Sequence, residues 1–261
     1  MKHVFILLNS WNKSISPRVL LLLDFDGTLA PVARRPELAT LSRDTRRLLR
    51  ALARRYKVGV ISGRPLADIK RLVGLRELYY SGNHGFEISG AGIQLVKPQA
   101  KRARPLITKL CGELSGELGN IKGVIIENKE LTASVHYRLV EQGKIKNMRK
   151  ILERTAKPYI DSGAVKVAHG KKVFEIMPNI DWDKGKAVLW IMNVVDPEGK
   201  LVPVYIGDDR TDEDAFLALK KRGITILVSE KPKKSHAKFF LRNVNEVRMF
   251  LRALLKMKGK V

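Results

Sequence analysis

Short apolar runs alternate with helical patterns in the first and last thirds of the chain. Val19–Leu23, Val58–Ile61 and Val202–Ile206 are continuous apolar runs, each followed by polar residues. Such runs are typical of strands that are buried on both faces of a parallel sheet. Ser42 is a candidate N-cap for a helix up to Tyr56 that has apolar residues on one face. The alternation of strands and helices predicts an α/β domain with a mainly parallel sheet.

Further elements in these outer segments follow the same alternation. They are helices at Pro65–Val73, from Thr211 or Asp212 to Lys221 and at Asn245–Met257, and strands at Glu77–Tyr80 and Ile224–Val228.

The middle of the chain has a different pattern. It predicts the order helix, strand, strand, helix, strand, strand over residues 105–118, 123–127, 131–138, 144–156, 164–168 and 172–177. Two of these strands alternate apolar and polar residues, as antiparallel strands with one exposed face do. We therefore expect a core domain of residues 1–98 and 181–261, interrupted by an inserted α+β domain of residues 99–180.

The chain is strongly basic. Its 261 residues include 50 Lys plus Arg and 26 Asp plus Glu, a formal net charge of +24. Such a charge attracts polyanions and steers anionic substrates. The basic residues are spread along the chain and are not interleaved with aromatic residues, as they are in a base-stacking platform. We therefore interpret them mainly as solvated helix faces and expect any nucleic-acid binding to be weak and non-specific.

Cysteine usage and hydropathy limit the cellular setting. The single cysteine, Cys111, cannot form an internal disulfide, which favours a reducing compartment. The apolar run Val4–Leu8 is shorter than the core of a signal peptide, and no segment approaches the ~20 apolar residues of a membrane span. The expected location is the cytoplasm without membrane association, and a monomer is favoured.

Three predicted core strands end in polar clusters. These clusters are Asp24-Phe25-Asp26-Gly27-Thr28, Ser62-Gly63-Arg64, and Gly207-Asp208-Asp209 with Asp212. In open parallel sheets, ligands bind outside the carboxyl ends of the strands. The three clusters are therefore expected to meet in one crevice.

The first cluster suggests phosphoryl chemistry. Asp24 and Asp26 project the same way because they lie two residues apart on an extended segment. One carboxylate can attack phosphorus, and the other can protonate the departing alkoxide and then activate water. Carboxylates repel a phosphate dianion, so a divalent cation must bridge them, and oxygen ligands suit Mg²⁺. Asp208 is expected to complete the metal site, with Asp209 or Asp212 assisting.

Two more residues fit the same chemistry. Ser62, at a strand-to-helix turn, can bind a phosphoryl oxygen through its hydroxyl group. Lys184, at the start of a helix, can balance charge in the transition state. Composition alone does not distinguish Lys184 from the other basic residues.

The clusters resemble those of the haloacid-dehalogenase-type phosphatases, in which they occur in this order. Within that superfamily, the chain is similar to the trehalose-6-phosphate phosphatases. The matching stretches are Leu23–Leu29, Ile61–Arg64, Gly82–Gly85, Glu127–Lys129 with His136–Arg138, Gly170–Glu175 and Gly207–Phe216. The resemblance implies a Rossmann-like α/β core with a mainly parallel sheet and an inserted cap domain that determines substrate specificity.

The resemblance also implies an activity and a set of site residues. The activity is Mg²⁺-dependent hydrolysis of a small phosphorylated sugar, trehalose 6-phosphate, through an aspartyl-phosphate intermediate. Asp24 would be the nucleophile and Asp26 the acid/base, with Ser62 and Lys184 on the phosphoryl group. The metal would be held by Asp24, the carbonyl of Asp26 and Asp208, with Asp212 nearby. The implied sugar-binding residues are Arg64, Asn83, His84, Gly85, Glu127, Lys129, Arg138, Lys171 and Glu175.

Two alternatives stay open. The first keeps the chemistry and changes the substrate to sucrose-phosphate, mannosyl- or glucosyl-phosphoglycerate, or a monosaccharide phosphate. It is favoured by a departure from the family pattern, which often has arginine where Met177 precedes Pro178 here. The second is a basic nucleic-acid-binding protein on an inactive phosphatase scaffold. The intact pair of Asp24 and Asp26, together with Asp208, argues against it, because a decayed site would be free to lose mutually repelling carboxylates.

Overall fold

The structure is a computed structural model that describes residues 1–6 and 18–257. Leu7 and Leu8 of the N-terminal apolar run lie outside the described residues. The chain divides into two compact units, Met1–Leu95 with Trp182–Val261, and Val96–Asp181. We call the first the core unit and the second the inserted unit. The domain boundaries expected from the sequence, and the specificity role of residues 99–180, stay predictions.

The secondary structure of the described residues follows in chain order. The strands are β1 (Lys2–His3), β2 (Val19–Asp24), β3 (Lys57–Ile61), β4 (Tyr79–Gly82), β5 (Glu87–Gly90), β6 (Ile93–Val96), β7 (Ile125–Asn128), β8 (Ala133–His136), β9 (Val165–Gly170), β10 (Val173–Pro178), β11 (Val202–Gly207), β12 (Ile224–Val228) and β13 (Phe239–Leu241). The α-helices are α1 (Arg43–Ala53), α2 (Leu66–Val73), α3 (Pro98–Arg102), α4 (Arg104–Leu118), α5 (Gln142–Asp161), α6 (Lys184–Val195), α7 (Asp212–Leu219) and α8 (Val244–Lys256).

The core unit is organised around a mainly parallel sheet. Its strand order is β1-β13-β12-β11-β2-β3-β4-β5-β6. In this order, every pair of neighbouring strands from the β1 edge as far as β4 is parallel, and β4 pairs with β5 in the antiparallel sense. β2 is buried along its whole length and lies between β11 and β3. This arrangement confirms the α/β core with a mainly parallel sheet.

Alternate residues of β2 face two different layers of helices. Leu21 and Leu23 belong to an apolar cluster that includes residues of α1, α2 and α8. Leu20 and Leu22 belong to a second cluster, with residues of α6 and α7. A strand of five apolar residues followed by Asp24 is therefore covered on both faces, and its polar residue lies at its carboxyl end.

The inserted unit contains an antiparallel sheet of strand order β7-β8-β10-β9. One face carries Val135, Phe174 and Ile176, which pack with apolar residues of α4 and α5. Cys111 of α4 is buried in this apolar cluster, and burial raises the pKa of its thiol to about 11. The antiparallel sheet agrees with the alternating pattern of the sequence.

The structure differs from the sequence-based prediction in several elements. Strands β5, β6 and β13 were not predicted, because with four, four and three residues they are too short to show a periodic pattern. The helix expected over 144–156 extends over Gln142–Asp161 and contains Pro158. A proline removes one backbone donor. Tyr159, the next residue, packs against the apolar cluster of the inserted unit, which favours continuation of the helix.

Within residues 1–6 and 18–257, no helix combines the length and the apolar character needed to cross a membrane.

We expect Asn243→Ala to lower the free energy of unfolding by about 1 kcal/mol, because it removes an N-cap. The Asn243 side chain accepts a hydrogen bond from the backbone N of Glu246 at 3.1 Å at the start of α8. The matched control is Asn193→Ala, at an exposed position inside α6, which should change the free energy by less than about 0.5 kcal/mol. Urea unfolding measures both, and equal losses would contradict the capping role.

Candidate active site

The carboxyl ends of three neighbouring strands lie level with one another. Leu23 pairs with Ile206 of β11, and Asp24 pairs with Ile61 of β3. The residues that follow Ile206 and Ile61 therefore flank Asp24 on either side. The structure thus brings all three polar clusters of the sequence to one edge of the sheet.

An ammonium group lies between two buried carboxylates at this edge. Lys184 Nζ donates to Asp24 Oδ1 and to Asp212 Oδ1, in each case at 2.8 Å. Lys184 is the first residue of α6, whose N-cap Asp183 accepts a hydrogen bond from the backbone N of Lys186. Burial by itself would lower the pKa of Lys184, but the carboxylates of Asp212 and Asp24 raise it well above its ordinary value. The lysine is therefore a fixed positive charge.

Asp212 is held by four hydrogen bonds. Its Oδ1 accepts from Lys184 Nζ and from the hydroxyl of Tyr205, both at 2.8 Å. Its Oδ2 accepts from the backbone N of Asp208 at 2.9 Å and of Asp209 at 3.0 Å. Burial would raise the pKa of Asp212, but Lys184 and these donors hold it below its ordinary value. Asp212 therefore fixes the turn that carries Asp208.

The pKa of Asp24 is shifted in the opposite direction to that of Asp212. Burial raises its pKa well above the ordinary value, and the nearby carboxylates of Asp212 and Asp208 add to this, against the lowering effect of Lys184. Lys184 therefore pairs directly with two of the three carboxylates that lie close together here. A further positive charge at this position would stabilise the ionised form of Asp24.

The donor set fits a divalent metal ion. One carboxylate oxygen from each of Asp24, Asp208 and Asp212 lies within 4.8 Å of the others. All three residues are buried, and all the donors are hard oxygen atoms, as Mg²⁺ prefers. Asp212 already accepts four hydrogen bonds, which leaves its carboxylate little capacity for an additional metal ion.

Gly27 allows Asp208 to approach the first cluster. Its φ is +89°, in the region that favours glycine. A Cβ atom on Gly27 would lie 2.1 Å from Asp208 Oδ2. The turn after Asp26 therefore requires glycine both for its backbone conformation and for the space that Asp208 occupies.

Asp26 is paired with Arg64. Arg64 Nε donates to Asp26 Oδ2 at 2.7 Å, and Nη2 donates to Oδ1 at 2.9 Å. Burial alone would lower the pKa of Arg64, but Asp26 and Asp68 raise it above its ordinary value. The Asp26 side chain is 33% exposed, compared with 7% for Asp24, so the two carboxylates of the first cluster differ in their access to solvent.

Two loops of the core unit support each other next to these residues. The backbone N of Asn83 donates to Arg64 O at 2.7 Å, and that of His84 donates to Ser62 O at 3.1 Å. Ser62 Oγ accepts from the backbone N of Arg64 at 3.1 Å. A Cβ atom on Gly63 would lie 2.5 Å from the His84 ring. The loop that contains Ser62 and the loop that contains His84 are therefore joined by backbone hydrogen bonds.

The loop from Asn83 to Gly85 has an unusual backbone. Its φ angles are 47°, 56° and 103°. The Asn83 amide donates to Glu87 Oε2 at 2.7 Å, and Trp182 Nε1 donates to Gly85 O at 2.8 Å. The hydrogen bonds of the Asn83 side chain and of the Gly85 carbonyl therefore hold this loop in place within the core unit.

The other residues with a predicted sugar-binding role lie in the inserted unit. Glu127, Ser134 and Glu175 occupy matching positions on neighbouring strands. Glu175 Oε2 accepts from Lys129 Nζ at 3.2 Å and from Ser134 Oγ at 2.7 Å, and Glu127 Oε2 lies 3.0 Å from His136 Nε2. Burial would raise the pKa of Glu127, but His136 and Lys129 lower it. The sheet therefore has a polar face opposite its apolar one.

Two more basic residues with that predicted role lie at the end of this sheet. Arg138 Nη2 donates to the carbonyl of Lys171 at 2.7 Å, which joins the segment after β8 to the turn between β9 and β10.

Some residues of these networks carry no clear signal in the sequence. Tyr205 lies within an apolar run, and Ser134 lies within an alternating strand, so both look like ordinary strand residues. Asp68 does carry a signal, because it lies four residues after Arg64, the spacing of side-chain pairs on a helix. Trp182 is two residues before Lys184, but its bond to Gly85 depends on the fold.

Comparison with known proteins gives consistent matches. The profile of the trehalose-phosphatase family matches residues 22–245. Probable trehalose-phosphate phosphatase 3 of Oryza sativa subsp. japonica is 34% identical over 273 residues, which cover 95% of this chain and 74% of the relative. Trehalose-phosphate phosphatase B of Arabidopsis thaliana is 33% identical, over 95% of this chain and 69% of the relative.

A solved structure has the same fold. The C-terminal domain of the C. albicans trehalose-6-phosphate phosphatase matches with a TM-score of 0.82 and 23% identity, over 97% of both chains. The fold and the sequence matches define a phosphoric monoester hydrolase of the haloacid dehalogenase superfamily. The chain belongs to the trehalose-phosphatase family. The recognition made from the sequence motifs is thereby confirmed.

We expect Gly27→Ala to be more destabilising than Gly92→Ala. Both glycines have positive φ, +89° and +74°, but a Cβ atom on Gly92 would meet nothing within 4 Å. The control should lose only about 1 kcal/mol of unfolding free energy to backbone strain. Gly27→Ala should lose about 2–4 kcal/mol, because Asp208 must also move. Urea unfolding measures both, and equal losses would show that the turn has room for a side chain.

Proposed function

We propose that the protein hydrolyses trehalose 6-phosphate to trehalose and phosphate. The observation that carries the proposal is the buried group of Asp24, Lys184, Asp208 and Asp212 at the carboxyl end of the core sheet, in a chain of the trehalose-phosphatase family. The names of the related proteins support the choice of sugar.

In the first proposed step, Asp24 is the nucleophile and Asp26 the acid. A carboxylate oxygen of Asp24 forms a bond to phosphorus while the bond between phosphorus and the sugar oxygen breaks. The sugar oxygen keeps the electron pair of that bond and takes the proton of the Asp26 carboxyl group. Lys184 balances the negative charge beside Asp24, and Ser62 donates a hydrogen bond to the phosphoryl group. Trehalose is released and an aspartyl-phosphate remains.

In the second proposed step, Asp26 acts as a base. Its carboxylate takes a proton from water, and the water oxygen forms a bond to phosphorus. The bond between phosphorus and the Asp24 oxygen breaks, which returns the Asp24 carboxylate and releases phosphate. Asp26 is protonated again, so the cycle closes without any other proton donor.

We propose that Mg²⁺ is held by the carboxylates of Asp24 and Asp208 and the backbone carbonyl of Asp26. The ion supplies positive charge that lets the nucleophile and the phosphate dianion approach each other. Asp212 stays a predicted ligand, but its hydrogen bonds to Lys184, Tyr205 and the backbone suit it better to orienting the ligands than to binding the ion.

We propose that the inserted unit acts as a cap and provides most of the sugar contacts. The charged and polar side chains on the polar face of its sheet include both donors and acceptors, as sugar hydroxyl groups require. Their mutual ion pairs hold them in defined positions before substrate binds. The proposed contacts are Glu127, Lys129, Arg138, Lys171 and Glu175 from this unit, with His84 and its neighbours Asn83 and Gly85 from the core unit.

We expect Asp24→Asn to reduce turnover by at least about 10⁴-fold, because an amide cannot form the covalent intermediate. Phosphate release with saturating Mg²⁺ measures the effect. The matched control is Asp44→Asn at an exposed position of α1, which should keep wild-type turnover. Activity of Asp24→Asn above one-hundredth of wild type would mean that water attacks phosphorus directly.

We expect trehalose 6-phosphate to have the highest kcat/KM in a panel of sugar phosphates. The panel should include sucrose-phosphate, mannosyl- and glucosyl-phosphoglycerate, glucose 6-phosphate and p-nitrophenyl phosphate, with and without a chelator of Mg²⁺. A margin of about 100-fold over the generic aryl phosphate corresponds to the few hydrogen bonds proposed for the cap. A preference for another sugar would change the substrate but not the chemistry.

A further inference from the structure

The guanidinium group of Arg64 is already committed to acceptors of the core unit. Nε and Nη2 donate to the two carboxylate oxygens of Asp26, and Nη1 donates to Pro36 O at 3.0 Å and Asp68 Oδ2 at 3.2 Å. An arginine has five N–H donors. These four hydrogen bonds leave a single N–H, on Nη2, for any other acceptor. A residue whose main task is to bind the hydroxyl groups of a disaccharide would be expected to have more donors available.

The guanidinium plane is held from several directions. The Arg64 side chain is 10% exposed, and its Cζ lies 5.7 Å from the centre of the Phe25 ring. Phe25 separates Asp24 from Asp26 in the chain and is fully buried. At the far edge of the plane, Asp68 is paired with Arg71 as well as with Arg64. Rotation of the plane would break several of these contacts at once.

A two-point contact of this kind fixes the orientation of the carboxylate. Parallel hydrogen bonds from Nε and Nη2 define the plane of the Asp26 carboxyl group, which a single hydrogen bond would not. Each carboxylate oxygen has two lone pairs, so the pair with Arg64 leaves one lone pair on each. The side chain of Asp26 is 33% exposed, so the remaining lone pairs have an accessible side.

We propose that Arg64 is a positioning residue that orients the Asp26 carboxyl group toward the leaving-group oxygen, and that Asp68 anchors Arg64 in this task. The inference rests on the proposed function, in which Asp26 is the acid/base. It replaces the sugar-binding role that the family resemblance implied for Arg64. It also assigns a role to Asp68, which lies in the first turn of α2.

The proposal predicts a dependence on the leaving group. A sugar alkoxide must take a proton as it departs, whereas p-nitrophenolate is stable without one. Misplacing Asp26 should therefore slow transfer of the phosphoryl group from trehalose 6-phosphate much more than from p-nitrophenyl phosphate. The constant to compare is kcat/KM, because it covers the steps up to formation of the aspartyl-phosphate and excludes its later hydrolysis.

The main test variant is Arg64→Lys, which keeps the charge and loses the two-point contact. We expect kcat/KM to fall about 10–100-fold for trehalose 6-phosphate and less than about 3-fold for p-nitrophenyl phosphate. Asp68→Asn should change both constants in the same sense, by a smaller factor. The matched control is Arg46→Ala, which removes a partly buried guanidinium that donates to carbonyls at the other end of α2 and should leave the ratio of the two constants unchanged.

A double variant separates positioning from sugar binding. If Arg64 acts only through Asp26, then Arg64→Lys in the Asp26→Asn background should lower kcat/KM for trehalose 6-phosphate by less than about 2-fold. A further loss of 10-fold or more in that background would show a direct sugar contact and overturn the proposal.

The single variant Asp26→Asn tests the proposed function separately. It should show the largest leaving-group dependence of the set, and equal losses on both substrates would reject Asp26 as the acid. If Asp26→Asn shows the dependence and Arg64→Lys does not, the positioning role alone fails. Urea unfolding of each variant comes first, and should Arg64→Lys not fold, the two kcat/KM values of Asp68→Asn decide the question.

Discussion

The ammonium group of Lys184 is the charge on which the polar edge of the core sheet depends. Three buried carboxylates converge there, and removing such groups from water is costly unless a cation and several hydrogen bonds compensate. Lys184 pairs with two of the three, and Asp212 then uses its second oxygen to hold the backbone that carries Asp208. The position of one side chain at the start of α6 thus influences both the carboxylate at the end of β2 and the turn after β11.

The two carboxylates of the first cluster are separated by this arrangement. Asp24 is buried beside Lys184, whereas Asp26 is more accessible and is paired with Arg64. The same short segment can therefore present one carboxylate to phosphorus and another to a leaving group. Gly27 makes this possible, since any side chain there would occupy the space of Asp208. The chemistry that we propose needs both the separation of the two carboxylates and the compactness of the turn.

The sequence predicts most of the core fold and the positions of the polar clusters, because both follow from local patterns. Apolar runs such as Val19–Leu23 predict buried strands, and a polar residue after each run must lie at the edge of the sheet. Short strands such as β13 could not be predicted, because three residues have no periodicity of their own. The parallel pairing of β13 with β12 is a property of the folded chain.

The partners of the site residues were harder to predict than the residues themselves. The sequence and its family resemblance placed Arg64 among the sugar-binding residues, and the structure shows its donors directed to Asp26, Pro36 and Asp68. Tyr205 could not be distinguished from its apolar neighbours, because the sequence does not show what its hydroxyl group contacts. A tyrosine in a buried strand is therefore interpreted as a core residue that only fills space. Distances between elements that are remote in sequence carry this information, and local patterns do not.

The single thiol of the chain offers an independent view of the inserted unit. Cys111 is packed among apolar side chains of α4, α5 and the antiparallel sheet, with a pKa of about 11, so an alkylating reagent reaches it as a reactive thiolate only when that packing loosens. Its labelling rate therefore reports how often the packing of the inserted unit opens locally. Because no second cysteine occurs in the sequence, no labelling of the core unit adds to this signal.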